Sequence, residues 1–136
     1  MSPSATYNTN LAAEFYALHV LHRLGADANL TLGNKKAVDI VVVRGAGDTV
    51  TVDVKGLAGK TSWPVDNAKA RDRHFVVLVC FLGRIDDPTV IPESYVVPSG
   101  ELPGLTYNAP GGRKVVQLSR MRRDGQPFRD AWRRIV

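Results

Sequence analysis

The run Val50-Thr51-Val52-Asp53-Val54-Lys55, followed by Gly56, alternates strictly between valine and a polar residue, and no other stretch constrains the chain as much. A period of two is the signature of a strand, because successive side chains point to opposite faces of the sheet. Val50, Val52 and Val54 therefore share one face, and Thr51, Asp53 and Lys55 share the other. A valine strand belongs in a core, where Asp and Lys are rare unless paired or put to use. The run predicts a carboxylate and an ammonium side by side on a sheet. Taken alone, these residues also suit an exposed sheet face with a cross-face ion pair.

The preceding segment, Ala37-Val38-Asp39-Ile40-Val41-Val42-Val43-Arg44, reads as a buried strand entered through an acidic residue. Gly45-Ala46-Gly47-Asp48 has the turn chemistry to join it to a strand over 49–57 as a hairpin. Asp39 lies eight residues before a turn centred near Gly47 and Asp53 six after it, so both carboxylates fall at one end of the sheet, close enough to share an ion. Upstream, Asn10 or Thr9 can cap a helix over 11–24 that ends at Gly25. At about 100° per residue, Leu11, Phe15, Leu18, Leu21 and His22 form its apolar stripe. Glu14 falls inside that stripe between Leu18 and Leu21. An inward carboxylate is costly without a cation, a metal or donors beside it, unless it sits at the edge of the stripe and reaches water.

A short strand over 28–32 and a loop carrying Lys35 and Lys36 connect the helix to the hairpin. Beyond it the expected elements are a polar connection 58–73 containing Trp63-Pro64 and a helical turn over 65–71, a central strand 75–82, strands 94–98 and 114–118, and a final helix 127–135. The order predicts an α/β fold, a mixed sheet flanked by helices, in a single domain spanning 1–136. The single cysteine, Cys80, sits in an apolar run of eight residues and reads as a buried, inert thiol. That run is far short of the ~20 apolar residues of a membrane helix, and the amino terminus lacks the basic and apolar regions of a signal. A cytoplasmic protein with no membrane partner is the expectation.

Net charge is +5, and its distribution is uneven. From residue 111 onward eight Lys and Arg face only Asp124 and Asp130, a local +6. A clustered cationic surface favours a polyanion such as nucleic acid, though a merely solubilising segment has the same composition.

Glu14 on a helix, Asp39 opening a strand, a hairpin, and Asp53-Val54-Lys55-Gly56 on the partner strand together resemble the PD-(D/E)XK nuclease superfamily, which has the restriction-endonuclease-like fold and includes small Holliday junction resolvases and restriction or repair nucleases. The likeness covers about residues 8–83. Val38 stands where the family name has proline, and Asp53 where glutamate is commoner. The resemblance implies a metal-dependent endonuclease that hydrolyses phosphodiester bonds in DNA, with Glu14, Asp39, Asp53 and Lys55 as catalytic residues. It implies magnesium or manganese held by Asp39, Asp53 and the Val54 carbonyl, with Glu14 binding directly or through water. Such chemistry needs phosphate charge screened, a hydroxide made near neutral pH and a departing alkoxide stabilised. Lys55 would orient the water or steady the transition state.

Lys35, Lys36, Trp63, Lys69, Arg120, Arg122 and Arg123 are the candidate nucleic-acid contacts. Trp63 could stack on an unpaired base or serve as a core anchor. Asp66, Asn67 and Lys69 are the candidates for the polar residue that relatives carry after the lysine strand. His19, His22 and His74 lack metal-ligand spacing and read as structural or surface residues. Cutting two strands needs two sites, so a homodimer is expected. The alternatives are a non-catalytic nucleic-acid-binding module with the same fold, and a small α/β protein-interaction domain whose acidic residues form structural ion pairs.

Overall fold

The computed structural model describes residues 3–31, 38–45 and 47–136. Helix α1 (Pro3–Arg23) leads into β1 (Asp27–Leu30), β2 (Ile40–Gly45), β3 (Asp48–Leu57), β4 (Ser62–Pro64), β5 (His74–Cys80) and β6 (Glu93–Pro98). A 3₁₀ segment at Ser99–Leu105 precedes β7 (Tyr107–Asn108), β8 (Lys114–Gln117) and α2 (Leu118–Asp124). Five strands form one sheet in the order β1-β2-β3-β5-β6, with β3 and β5 parallel and the other neighbours antiparallel. This is the expected mixed sheet flanked by helices. The hairpin forms as expected too: Gly45 pairs with Asp48, and Gly47 takes φ +74°, a conformation that glycine adopts without strain.

Helix α1 ends where the sequence marks it. Gly25 has φ +81°, its N–H donates to the His22 carbonyl at 3.0 Å, and the Ala26 N–H donates to the Leu21 carbonyl at 3.0 Å. These are the two bonds of a Schellman cap. The contact stripe differs from the expected one. Ala13, Ala17 and Leu21 are buried against Val50, Val52 and Val54, and Thr9 is buried over Gly56, whereas Phe15 is 52% exposed. The physical reason is proximity: a Cβ added to Gly56 would lie 2.9 Å from the Thr9 carbonyl oxygen and 3.1 Å from the Ala13 Cβ. Larger side chains on this stripe would hold the helix away from β3. Gly56→Ala is accordingly expected to destabilise the fold by about 1–3 kcal/mol through overpacking. Urea unfolding measures this, and an unchanged midpoint would mean that the helix yields without cost.

The opposite face of the sheet carries a second core. Val76, Leu78, Cys80, Tyr95 and Val97 pack with Trp63, Val65, Val116, Leu118 and Met121. These partners come from the small antiparallel sheet β4-β8-β7 and from α2. Within this core the Tyr95 hydroxyl donates to Glu93 Oε2 at 2.5 Å, and Arg122 pairs with Glu93 at 2.8 Å. Burial, then the adjacent Glu93, push the Tyr95 phenol up to about 12. A group whose folded pKa is raised contributes stability that is intact below its unfolded value and is lost as pH climbs through its folded one. Stability should therefore fall between about pH 10, the ordinary tyrosine value, and the folded value near 12. Tyr95→Phe should flatten that limb in alkaline unfolding curves, and an equally steep limb in the variant would assign the effect elsewhere.

Of the two later helical segments expected, the one over 65–71 forms a turn, with the Ala68 N–H donating to the Val65 carbonyl at 3.0 Å, and the final helix is absent. Over 65–71 the Asp66 carboxylate accepts the Lys114 N–H at 2.7 Å and pairs with Arg113, so the segment is tied to β8 in turns instead of coiling further. Over 127–135 there are 3₁₀ turns at Gln126–Phe128 and Trp132–Arg134, separated by Asp130 at φ +50°. That left-handed residue interrupts a helix, and its N–H donates to the Ser94 carbonyl at the edge of β6. Trp132 still anchors the segment, packing edge-on against Tyr16 at 6.2 Å between ring centres. Among the described residues, no helix is long and apolar enough to cross a membrane.

Candidate active site

Beyond Val52, strand β3 outruns its neighbour β2. The Thr51 N–H donates to the Arg73 carbonyl on the β5 side, so alternation turns the backbone groups of Val52, Val54 and Gly56 toward β2. The β2–β3 ladder begins at Ile40↔Val52, and past that point side chains take the place of a strand. The Asp39 N–H donates to the Val52 carbonyl at 3.0 Å, while its carboxylate Oδ2 accepts the Val54 N–H at 2.7 Å. Asn10 Oδ1, reaching down from α1, accepts the Gly56 N–H at 3.4 Å. The Asp39 carbonyl meanwhile accepts from Thr31, so its two backbone groups serve opposite neighbours and the strand bends there. Asp39 is thereby pinned against the backbone on either side of Asp53, at the sheet end where the sequence predicts the carboxylates to meet.

Asp53 and Lys55 project to the face opposite Val52 and Val54, as the alternation requires. Asp53 is half-buried and its Oδ2 lies 3.2 Å from His74 Nε2. His74 is buried, and its Nδ1 lies 2.7 Å from Thr51 Oγ1. Burial pushes the Asp53 carboxyl up, but the His74 hydrogen bond and charge, followed by the charges of Lys55 and Arg71, outweigh it and hold the group below its ordinary value. Asp53 is an anion throughout the neutral range.

Glu14 is buried, at 8% exposure, as its place inside the helix demands. It stands one turn beyond Asn10 on the flank of α1 that also carries Leu21. That flank turns toward β1 and β2, since His22 Nε2 lies 2.8 Å from the Ala28 carbonyl. The Asp53 side chain leaves β3 on the face opposite the one that α1 covers.

Among the described residues, no three His, Cys, Asp or Glu side chains converge as a protein-only metal cage would require. A magnesium ion does not need such a cage. It keeps several waters and is commonly bound by one or two carboxylates plus substrate phosphate. The donor set of Asp39, Asp53 and the Val54 carbonyl fits this mode. Each carboxylate carries about four lone-pair sites, of which the Val54 N–H takes one at Asp39 and His74 takes one at Asp53. By the alternation of β3, the Val54 carbonyl turns to the side that β2 has vacated.

The candidate nucleic-acid contacts divide sharply. Lys35 and Lys36 lie outside the described residues. Trp63 is fully buried, donates from Nε1 to the Val79 carbonyl at 3.1 Å and meets Tyr95 edge-on at 6.4 Å between ring centres. It is a core residue, and the base-stacking expectation is corrected. Pairing of β4 with β8 draws it in, an event that the polar composition of 58–73 conceals. Lys69 is exposed and, with Lys114, borders a cavity of about 240 Å³ between the 65–70 segment and the Ser99–Leu105 turn. Arg120 and Arg123 pair with Asp124, which the local +6 already counts, whereas Arg122 pairs with Glu93 from outside the segment and so neutralises part of that +6 within the fold. Arg123 is the most exposed of the three, at 70%.

Asn10, His74 and Arg71 are site residues that the sequence reading leaves out. His74 could have been found only by knowing that Thr51 pairs with it across the parallel ladder, 23 residues away. Asn10 reads from sequence as a helix cap, but α1 begins at Pro3, eight residues before the expected start at Leu11, and Asn10, inside the helix, caps a strand edge instead.

No protein-family model and no curated protein matches the chain. Among solved structures it is similar to the bacterial homing endonuclease I-Ssp6803I, with a TM-score of 0.60 and 18% identity over 96% of this chain and 90% of that one. At that identity the likeness is one of fold.

Proposed function

We propose that this chain is a metal-dependent endonuclease that hydrolyses phosphodiester bonds in DNA, belongs to the PD-(D/E)XK superfamily, uses magnesium or manganese, and works as a homodimer. The observation that carries the reading is the Asp39 carboxylate clamped to the Val54 N–H, beside the strand that presents Asp53 and Lys55. A purely structural ion pair does not call for a second carboxylate at that edge. The shared fold with a protein described as a homing endonuclease supports the same reading.

Asp39, Asp53 and the Val54 carbonyl would hold the cation, which when bound would offset phosphate charge and lower the pKa of an attacking water. Asp53, kept ionised by His74, Lys55 and Arg71, needs no deprotonation to serve. Lys55, on the Asp53 face, supplies a mobile ammonium for the negative charge that grows on the phosphate. Glu14 would bind directly or through water. Lys35, Lys36, Lys69 and the arginines of α2 would contact phosphates without reading sequence. Exposed ion pairs are weak, so Arg123 can exchange Asp124 for a phosphate at little cost.

The test is conversion of supercoiled plasmid to nicked circles by the purified chain with magnesium or manganese. The expected result is nicking that stops with a chelator and in Asp53→Asn and Lys55→Met. Salt-sensitive DNA binding without nicking in either metal would instead favour the non-catalytic module.

A further inference from the structure

We infer that His74 is the positioning residue for Asp53 in this site, with Thr51 setting its tautomer; the inference rests on the metal-binding reading above. His74 opens β5 and pairs with Thr51 in the parallel register. Thr51 and Asp53 are two apart on β3 and share a face, so one imidazole spans both. Its Nδ1 is 2.7 Å from Thr51 Oγ1 and its Nε2 is 3.2 Å from Asp53 Oδ2, with the side chain fully buried.

For a neutral imidazole the proton positions follow from donor and acceptor counting. An ionised carboxylate only accepts, so Nε2 carries the hydrogen. In a neutral imidazole Nδ1 is then the acceptor, and the Thr51 hydroxyl must donate to it. The other acceptor within reach of that hydroxyl, the Arg73 carbonyl, is at 3.5 Å, the outer limit of a hydrogen bond. The relay Thr51 Oγ1–H to Nδ1, Nε2–H to Oδ2, fixes the rotation of the Asp53 carboxylate. Ligating carboxylates are held in this manner by outer partners, whose loss typically costs about 10–100-fold in metal affinity. Were the histidine only a buried neutraliser, its removal would change stability and not cation binding.

Manganese binding to the full-length chain, followed by paramagnetic resonance of the free ion in the absence of DNA, tests this, with unfolding measured in parallel. His74→Ala should weaken binding about 10–100-fold. His74→Gln, whose amide can still donate toward Asp53, should recover most of it, and Thr51→Val should fall between wild type and His74→Ala. Native affinity in His74→Ala overturns the inference; should that variant fail to fold, native affinity in Thr51→Val does so. A wild-type chain that binds no manganese overturns the metal reading itself, and this inference with it.

Discussion

Asp39→Asn is expected to lower magnesium-dependent nicking by on the order of 10³-fold or more while leaving the unfolding midpoint almost unchanged. The magnitude follows from the several kcal/mol that a bound cation contributes to charge stabilisation, at about 1.4 kcal/mol for each tenfold in rate. The selectivity follows from geometry. Asparagine keeps a carbonyl oxygen that can accept the Val54 N–H, so the edge of β3 stays capped. It loses the charge that a cation needs. Asp39→Ala removes both functions and should also destabilise the fold by about 1–3 kcal/mol, since the Val54 N–H loses its acceptor. Initial nicking rates and urea unfolding of the two variants separate chemistry from scaffold. A variant Asp39→Asn that nicks within tenfold of the wild-type rate would remove Asp39 from the mechanism. Lys55→Met should lose about 10²–10³-fold in rate while retaining DNA affinity, as expected for a group that acts chiefly on transition-state charge.

Trp63→Ala should produce the largest loss of stability, about 3–5 kcal/mol. The indole is fully buried between the two sheets, so its removal leaves a cavity among Val76, Leu78, Tyr95 and Val116. The Val79 carbonyl also loses its donor, and the edge-on contact with Tyr95 disappears. Roughly 3 °C per kcal/mol for a chain of this size translates the loss into a fall in Tm of about 10 °C or more. Trp63→Phe retains the ring contact and should lose only about 1–2 kcal/mol. Thermal unfolding checks both. A tryptophan that stacked on DNA would give the opposite pattern, with unchanged stability and weakened DNA binding.

The helix, the hairpin and the five main strands were legible because their signals are local. Gly25 ends α1 through a cap made of its own neighbours, and Gly47 turns the hairpin with a φ that depends on no distant contact. The alternation of Val50–Lys55 survives in the burial of β3 because valine packing against α1 rewards it. The stripe of α1 was misread for a different reason. Hydrophobicity pointed to Phe15 and Leu18, but the distance between helix and strand is set by Gly56 and Ala13, which transfer scales rank as weakly apolar. The terminal segment likewise has a helical composition, yet Arg129 bridges to Tyr95 on the edge of β6 and Asp130 turns left-handed, a tertiary override of propensity.

The charged residues show the same division. By itself the sequence determined which groups could do chemistry on this protein: two aspartates at one end of a hairpin, a lysine two positions on, and a glutamate that a helix would have to bury. Residue type and period are properties of short segments, and they persist in whatever fold forms. Only the tertiary structure decided how those groups are held. It turned the Asp39 carboxylate onto the unpaired edge of β3, brought His74 across the parallel ladder to Asp53, and set Glu93 against Arg122 so that a formally basic segment is partly neutralised. Each of these contacts joins residues 15 to 29 apart in the chain. At that separation the partner is chosen by strand order and register, which depend on the packing of the whole sheet.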